Sequence, residues 1–253
     1  MFPTRLAIKT TAKQTLSKHW GKAIAIFFLL FGAFIMPSLL IQFFDLLSAS
    51  AFTKNEIIVN AIGAIYSIFI FFPLLFGVLK WFWGVTALED MPLSVVFISF
   101  ANPLEYSKAL KIIFAFGWRL FLADLPRSLS LLLKPSYFSF LPAEIEISVL
   151  LGLFQGFCEF LSLGLSLLVV CRLLPLPFLA INHPGSRMSD NIKESKIISG
   201  KVAMQYLALF VSMAGWYFIS LLIIPLVYTL PYFLACYAVV TRYSINYCIQ
   251  NKI

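Results

Sequence analysis

Long apolar blocks separated by short polar stretches dominate this chain, and they restrict it to few folds. Residues 24–44 run without an Asp, Glu, Lys or Arg, and Leu161–Val170 and Leu221–Val227 are nearly apolar on every side. A soluble domain can hide one or two such blocks. It cannot hide several when only 19 Lys and Arg and 11 Asp and Glu are spread over 253 residues. Strands of a membrane barrel alternate apolar and polar residues over about 10 positions, and these blocks do not. An apolar spanning block must satisfy its own backbone in lipid, so it folds as a helix. The chain therefore reads as an all-α, polytopic integral membrane protein of about six transmembrane helices, one domain over residues 1–253.

The spans are expected at roughly 21–46, 57–82, 109–133, 147–174, 202–224 and 229–248. Residues 1–20 do not resemble a cleavable signal, because Thr4 to Lys18 are polar and basic and the next apolar run is too long. Arg5, Lys9 and Lys13 recur every fourth residue, as do Leu16 and Trp20, which predicts a short interfacial helix with a basic stripe toward anionic headgroups. Pro37 and Pro73 fall inside the first two spans. Between Gly84 and Lys108, one or two short surface helices are expected, with Leu93, Val96, Phe97 and Phe100 on one face. Pro175 and Pro177 break the helix leaving the fourth span. In the polar stretch His183–Lys201, Ser189 and Asp190 are candidate N-caps of a short helix ending at Gly200. Pro225 and Pro231 bracket a tight turn before the last span.

This threading divides the cations unequally. One side collects Arg5, Lys9, Lys13, Lys18, Lys22, Lys80, Lys108, Lys111, Arg172, Arg187, Lys193, Lys196, Lys201, Arg242 and Lys252, and the other holds Lys54 and Lys134. Cytoplasmic loops are the ones that accumulate Lys and Arg, so both termini are expected in the cytoplasm and the span count is even. The same distribution accounts for the net charge of +8 without nucleic acid, since no zinc-finger spacing or RNA-binding signature accompanies it. Cys158, Cys171, Cys236 and Cys248 form no CxxC pair and lie in or beside apolar blocks, where cysteine acts as a small hydrophobe. His19 and His183 are far apart, which argues against a histidine metal site or catalytic dyad. No metal and no cofactor is expected.

Four charges interrupt the blocks: Arg119, Asp124, Arg127 and Glu159. Each costs about 2.5–3.5 kcal/mol near the bilayer centre on insertion scales, so each needs a partner or a role. Asp124 and Arg127 are three apart and can pair on one helix face. Glu159 stands at similar depth in the next, antiparallel span, so an Arg127–Glu159 bridge is also reasonable. These charges fix helix pairing or line a polar site for a headgroup, an ion or a proton. Gly152, Gly156 and Gly164, extended by Ser148, make a small-residue stripe suited to close helix packing, inside the chain or between protomers. No GxSxG, HExxH, Walker loop or GxGxxG is present, and no catalytic residue is assigned.

The C-terminal half shows Arg172, the Pro175/Pro177 exit, a polar loop and then Ser195-Lys196-Ile197-Ile198-Ser199-Gly200-Lys201. Gly215-Trp216 and Pro231-Tyr232 follow. This order resembles the bacterial integral-membrane family called domain of unknown function 975, which shows Ser-x-x-hydrophobic-hydrophobic-x-Gly, then Gly-Trp, then Pro-Tyr. Ala12, Leu16, Trp20-Gly21 and Ala23-Ile24 look similar as well. The family's Pro-Gly before the matched Arg is replaced by Leu165-Ser166, and the aromatic pair after Pro-Tyr is out of register. The resemblance covers about half the chain and implies an α-helical protein of the bacterial cytoplasmic membrane. It implies no activity. Gly200, Gly215 and Pro231 read physically as architecture: a helix stop, a close-packing position and a helix N1.

The expected role is a non-enzymatic, membrane-organising or accessory component of the inner membrane. Its partners would be anionic lipid headgroups, with a homo-oligomer or a second membrane protein as further possibilities. The alternative is a transporter or permease-like protein with a polar site between spans three and four. If Glu159 bridges to Arg127, Glu159→Gln lowers the yield of folded protein in detergent more than Glu144→Gln does. Equal yields and melting temperatures for the two variants would sink the bridge.

Overall fold

Among the described residues of the computed structural model (2–48, 56–133, 147–213, 215 and 223–250), all regular structure is helical. Helix α1 spans Arg5–Ser17 and opens on Thr4, whose Oγ1 accepts from the Ala7 N–H at 3.3 Å. Helix α2 follows at Trp20–Ser48, and α3 at Glu56–Tyr66. A π-helical segment, Ser67–Phe71, carries α3 directly into α4, Phe72–Thr86. A 3₁₀ turn (Leu93–Phe97) and the short α5 (Ile98–Ala101) lead to α6, Pro103–Leu132. Helix α7 covers Ile147–Leu173, α8 Leu176–Asn182, α9 Met188–Ser212 and α10 Ile223–Gln250. Lys54, Lys134, Glu144, Glu146, Trp216 and Lys252 lie outside the described residues.

Three stretches are long and apolar enough to cross a membrane: Trp20–Phe43, Val59–Val85 and Val149–Asn182. Of the other expected spans, α6 has the length, but Arg119, Asp124 and Arg127 interrupt it. The first half of α9 is polar. The apolar run that precedes α10 begins at residues outside those described.

The core is concentrated at one end of the bundle. There α1 lays Ile8, Ala12 and Leu16 against the bundle, where they share a buried cluster with Trp81, Phe82, Phe178, Tyr206 and Val240. The start of α2 reaches the turn after α4, where Lys22 Nζ donates to Asp90 Oδ1 at 2.6 Å. Arg242 of α10 donates to the Trp83 carbonyl at 2.6 Å and sits 4.2 Å from the Trp83 ring centroid. Trp83 in turn stacks on Phe178 of α8, centroids 5.0 Å apart. The far half of α2 instead exposes Phe34, Leu39 and Phe43, and the α6–α7 pair exposes Trp118, Phe121, Leu153 and Phe160.

Helix α4 ends on a left-handed residue, Leu88 (φ 65°). The Glu89 N–H donates to the Gly84 carbonyl at 3.2 Å and the Leu88 N–H to that of Val85 at 3.0 Å, a Schellman closure. The chain then folds back along α4. A Cβ added at Gly77 would lie 2.0 Å from the Val96 carbonyl oxygen, so the close approach requires glycine there.

Proline leaves a carbonyl without its helical donor four residues earlier. Pro37 frees Ala33, and the Tyr66 hydroxyl donates to that carbonyl at 2.8 Å. Where the π-helical segment meets Pro73, the Tyr106 hydroxyl donates to the Phe69 carbonyl at 3.0 Å. The last carbonyls of α7 are orphans of a helix end. Ser195 and Ser199 of α9 donate to Arg172 O at 2.9 and 3.3 Å, and Tyr237 of α10 donates to Leu174 O.

Several expectations are corrected. Helix α9 does not end at Gly200 but runs through it, because buried Ile198, Ser199 and Val202 hold both sides, outweighing the roughly 1 kcal/mol helix penalty of glycine. Its N-cap is Arg187, so Ser189 and Asp190 lie inside its first turn rather than at the cap. Pro225 and Pro231 bracket no turn: both lie in α10, Pro225 in the first turn where N–H groups have no helical acceptor and Pro231 further inside. Of Leu93, Val96, Phe97 and Phe100, only Val96 is buried, since the fold-back seats that one residue against Gly77. Gly152, Gly156, Gly164 and Gly215 have open space where a Cβ would be, so no helix among the described residues packs on them. In α1, Lys9 leaves the basic stripe to donate to the Ser212 carbonyl at 3.1 Å, while Arg5 and Lys13 stay exposed.

Tyr66→Phe should lower the melting temperature of detergent-solubilised protein by the equivalent of about 1 kcal/mol, because the Ala33 carbonyl loses its donor. The same change in a Pro37→Ala background should cost clearly less, since alanine restores the helical N–H. Additive effects in this double-mutant cycle would refute the pairing.

Candidate functional site

The expected polar site falls on the seam between α6 and α7. Arg127 Nε stands 3.9 Å from Glu159 Oε1, with side chains 52% and 67% exposed. Asp124 does not pair with Arg127. Its Oδ1 accepts from Ser162 Oγ at 3.1 Å and its Oδ2 from Ser128 Oγ at 3.1 Å. Buried Ser162 also lies 2.9 Å from the Ala123 carbonyl, one turn before Pro126. Arg119 turns back on its own helix, donating to the Ala115 carbonyl at 2.7 Å. Gln155 completes the seam by donating to the carbonyl of Ser130 at 3.2 Å. Gln155, Glu159 and Ser162 fall at i, i+4 and i+7, so the α7 side of this seam is one polar stripe. Gln155 and Ser162 were not among the expected site residues, although that spacing marks them.

Side-chain donors zip this seam. Hydroxyl and amide donors are spent on backbone carbonyls and on Asp124, and the one interhelical ion pair lies at the outer surface. Among the described residues that carry the C-terminal resemblance, Ser195 and Tyr232 make contacts between helices. Ser195 is fully buried and holds the Arg172 carbonyl, and the Tyr232 hydroxyl donates to the Lys9 carbonyl at 3.4 Å, anchoring α1 to α10. The four cysteines are free thiols.

A second polar region lies at the core end of the bundle. Glu105, in the first turn of α6, has a side chain only 11% exposed. Lys108 Nζ donates to its Oε1 at 2.9 Å, and Lys80 Nζ of α4 stands 3.3 Å from its Oε2. Burial pushes the carboxyl up, but the Lys108 hydrogen bond and the two lysine charges outweigh it, so Glu105 ionises below its ordinary 4.5. Beside this trio opens a cavity of about 520 Å³ between the start of α6 and the α8–α9 turn. Asn102, Glu105, Lys108 and Lys111 line one wall, and His183, Arg187 and Asn191 the other. Asn191 is 3% exposed, and its Oδ1 accepts from Ser186 Oγ at 2.8 Å. A smaller cavity of about 280 Å³ lies between α9 and α10, with Asp190, Lys193 and Glu194 above an isoleucine floor. From sequence, Lys108, Lys111 and Arg187 carried only a signal of orientation. Their convergence depends on the fold-back of residues 87–102, which no spacing encodes.

No family model, curated protein or solved structure matches this chain.

The lowered pKa of Glu105 has a definite sign for stability. The ionised carboxylate stabilises the fold at pH values above its ordinary 4.5, and that stabilisation is lost as pH falls through the lowered value. Between about pH 5 and about pH 3, the wild-type melting temperature should therefore fall more steeply than that of Glu105→Gln. Parallel curves would show that Glu105 contributes nothing to acid sensitivity; every other carboxylate is common to both proteins.

Proposed function

We propose that this chain is a multi-pass protein of a bacterial cytoplasmic membrane, with about six spans, that acts as a non-enzymatic organising or accessory component on anionic headgroups. The observation that carries this reading is the agreement between charge and packing. Lys22, Lys80, Lys108, Lys111, Arg172, Arg187 and Arg242 stand at or near the ends of α2, α4, α6, α7, α9 and α10 that contribute to two buried clusters, one built on α1, α2, α4, α9 and α10 and one on α4, α6, α7 and α8. Six helices threaded alternately give that arrangement, with both ends of the described chain on the basic, cytoplasmic side and α1 at the interface. The C-terminal resemblance to domain of unknown function 975 belongs to the same reading. The transporter alternative would use the seam of Arg119, Asp124, Arg127 and Glu159. Against it stands the way the seam's Ser162 and Gln155 are already spent on Asp124 and on backbone carbonyls.

Topology is tested with Lys13→Cys and Lys54→Cys in a chain whose native cysteines are replaced by alanine. A membrane-impermeant maleimide should label position 54 in intact cells and position 13 only after permeabilisation. Labelling of both from the same side would overturn the threading. For the role itself, purification in mild detergent should retain a second membrane protein or a homo-oligomer. A lone monomer that moves solute across liposomes would favour the transporter.

A further inference from the structure

We propose that the 520 Å³ cavity between α6 and the α8–α9 turn binds the phosphate of an anionic phospholipid headgroup. This rests on the membrane reading above and assigns its headgroup contact to one place. Lys108, Lys111 and Arg187 line the cavity against a single carboxylate, Glu105, which two lysines already engage. Neither Lys111 nor Arg187 has an ion-pair partner among the described residues. The local charge is therefore positive and unspent.

The neutral groups agree. Asn191 is buried to 3%, yet only its Oδ1 is bonded, so its Nδ2 donor remains for whatever fills the cavity it lines. Helix α9, 25 residues long, begins at this cavity, and its N-cap residue Arg187 makes no side-chain capping hydrogen bond. The 30-residue α6 also begins here, at Asn102 and Pro103. At α6 the Asn102 side chain already accepts from the Leu104 N–H and Pro103 has none, so it is the uncapped start of α9 that offers its positive end to this volume. The Arg187 guanidinium, the Lys108 and Lys111 ammonium groups and the Asn191 amide outnumber the one carboxylate of the lining, Glu105, which two lysines engage, so the lining suits a phosphate better than a cation. The cavity sits on the basic face, at the level where α4, α6, α7 and α9 end or begin. A lipid's phosphate reaches that level with its chains along the exposed apolar sides of α6 and α7. Basic pockets between helices on the cytoplasmic side are where anionic headgroups bind.

The test uses the full chain purified from mixed micelles of phosphatidylcholine and phosphatidylglycerol, read by native mass spectrometry. Three variants are compared with wild type: Lys111→Gln with Arg187→Gln, Asn191→Ala, and the charge-matched control Lys13→Gln with Lys18→Gln on α1. Flotation with vesicles of the same lipids reports membrane insertion separately. Wild type should retain phosphatidylglycerol in preference to phosphatidylcholine. The cavity double variant should bind it on the order of thirty-fold more weakly, the control should lose little, and Asn191→Ala, which removes no charge, should also weaken retention. Equal loss in the two double variants would mean diffuse attraction and overturn the site. If the proteins float but no variant changes lipid retention, the site fails while the membrane reading stands. If wild type does not float, both fail. Inorganic phosphate is titrated in a thermal-melt assay as the last arm. Stabilisation by phosphate that depends on Lys111 and Arg187, without any retained lipid, would assign the cavity to a soluble phosphate compound and overturn the headgroup assignment.

Discussion

Backbone carbonyls without a helical donor hold this bundle together. Proline and helix ends create them, lipid offers nothing to satisfy them, and hydroxyl groups on neighbouring helices do. Tyr66 serves Ala33, Ser195 and Ser199 serve Arg172, and Tyr237 serves Leu174, while Tyr106 bonds the Phe69 carbonyl where the π-helical segment meets Pro73. Each bond joins two elements that are far apart in the chain or separated by a break. Apolar contact alone would not fix how these helices sit, because lipid tails compete equally well for apolar side chains. A hydroxyl aimed at one particular carbonyl fixes both rotation and depth.

Much of this architecture was legible before any coordinates. Apolar block length marked α2 and the α3–α4 pair, and Pro37 and Pro73 marked two backbone carbonyl sites inside them, whereas Pro225 and Pro231 misled by suggesting a turn where α10 is continuous. What the sequence could not reveal was the donor for each interruption, since Tyr106 lies 33 residues beyond Pro73 and nothing local connects them. Gly200 shows the opposite failure. A glycine after a polar helix reads as a stop signal, but Ile198, Ser199 and Val202 are buried on either side of it and carry the helix onward. Local propensity yields there to tertiary packing.

The two polar regions differ in how their capacity is used. Along the α6–α7 seam, charge was the visible signal, yet the serine and glutamine donors do most of the joining and Arg127 and Glu159 meet at the rim. At the core end, the lysines and Arg187 looked like ordinary loop charge. The turn at Leu88 and the fold-back after it bring α6 beside α4, and α8 sets the start of α9 opposite. There Lys111 and Arg187 have no ion-pair partner among the described residues.

The contact at Gly77 carries a consequence for recognising kin of this chain. Apolar helices drift freely among Leu, Ile, Val and Phe, so their alignments hold little information. Gly117, Gly152, Gly156 and Gly164 face open space and are free to drift too. Position 77 is not, because any side chain there would strike the Val96 backbone. A descendant that retains the fold-back after α4 must retain glycine at that point, so one small residue serves as a landmark where the bulk of the sequence offers none.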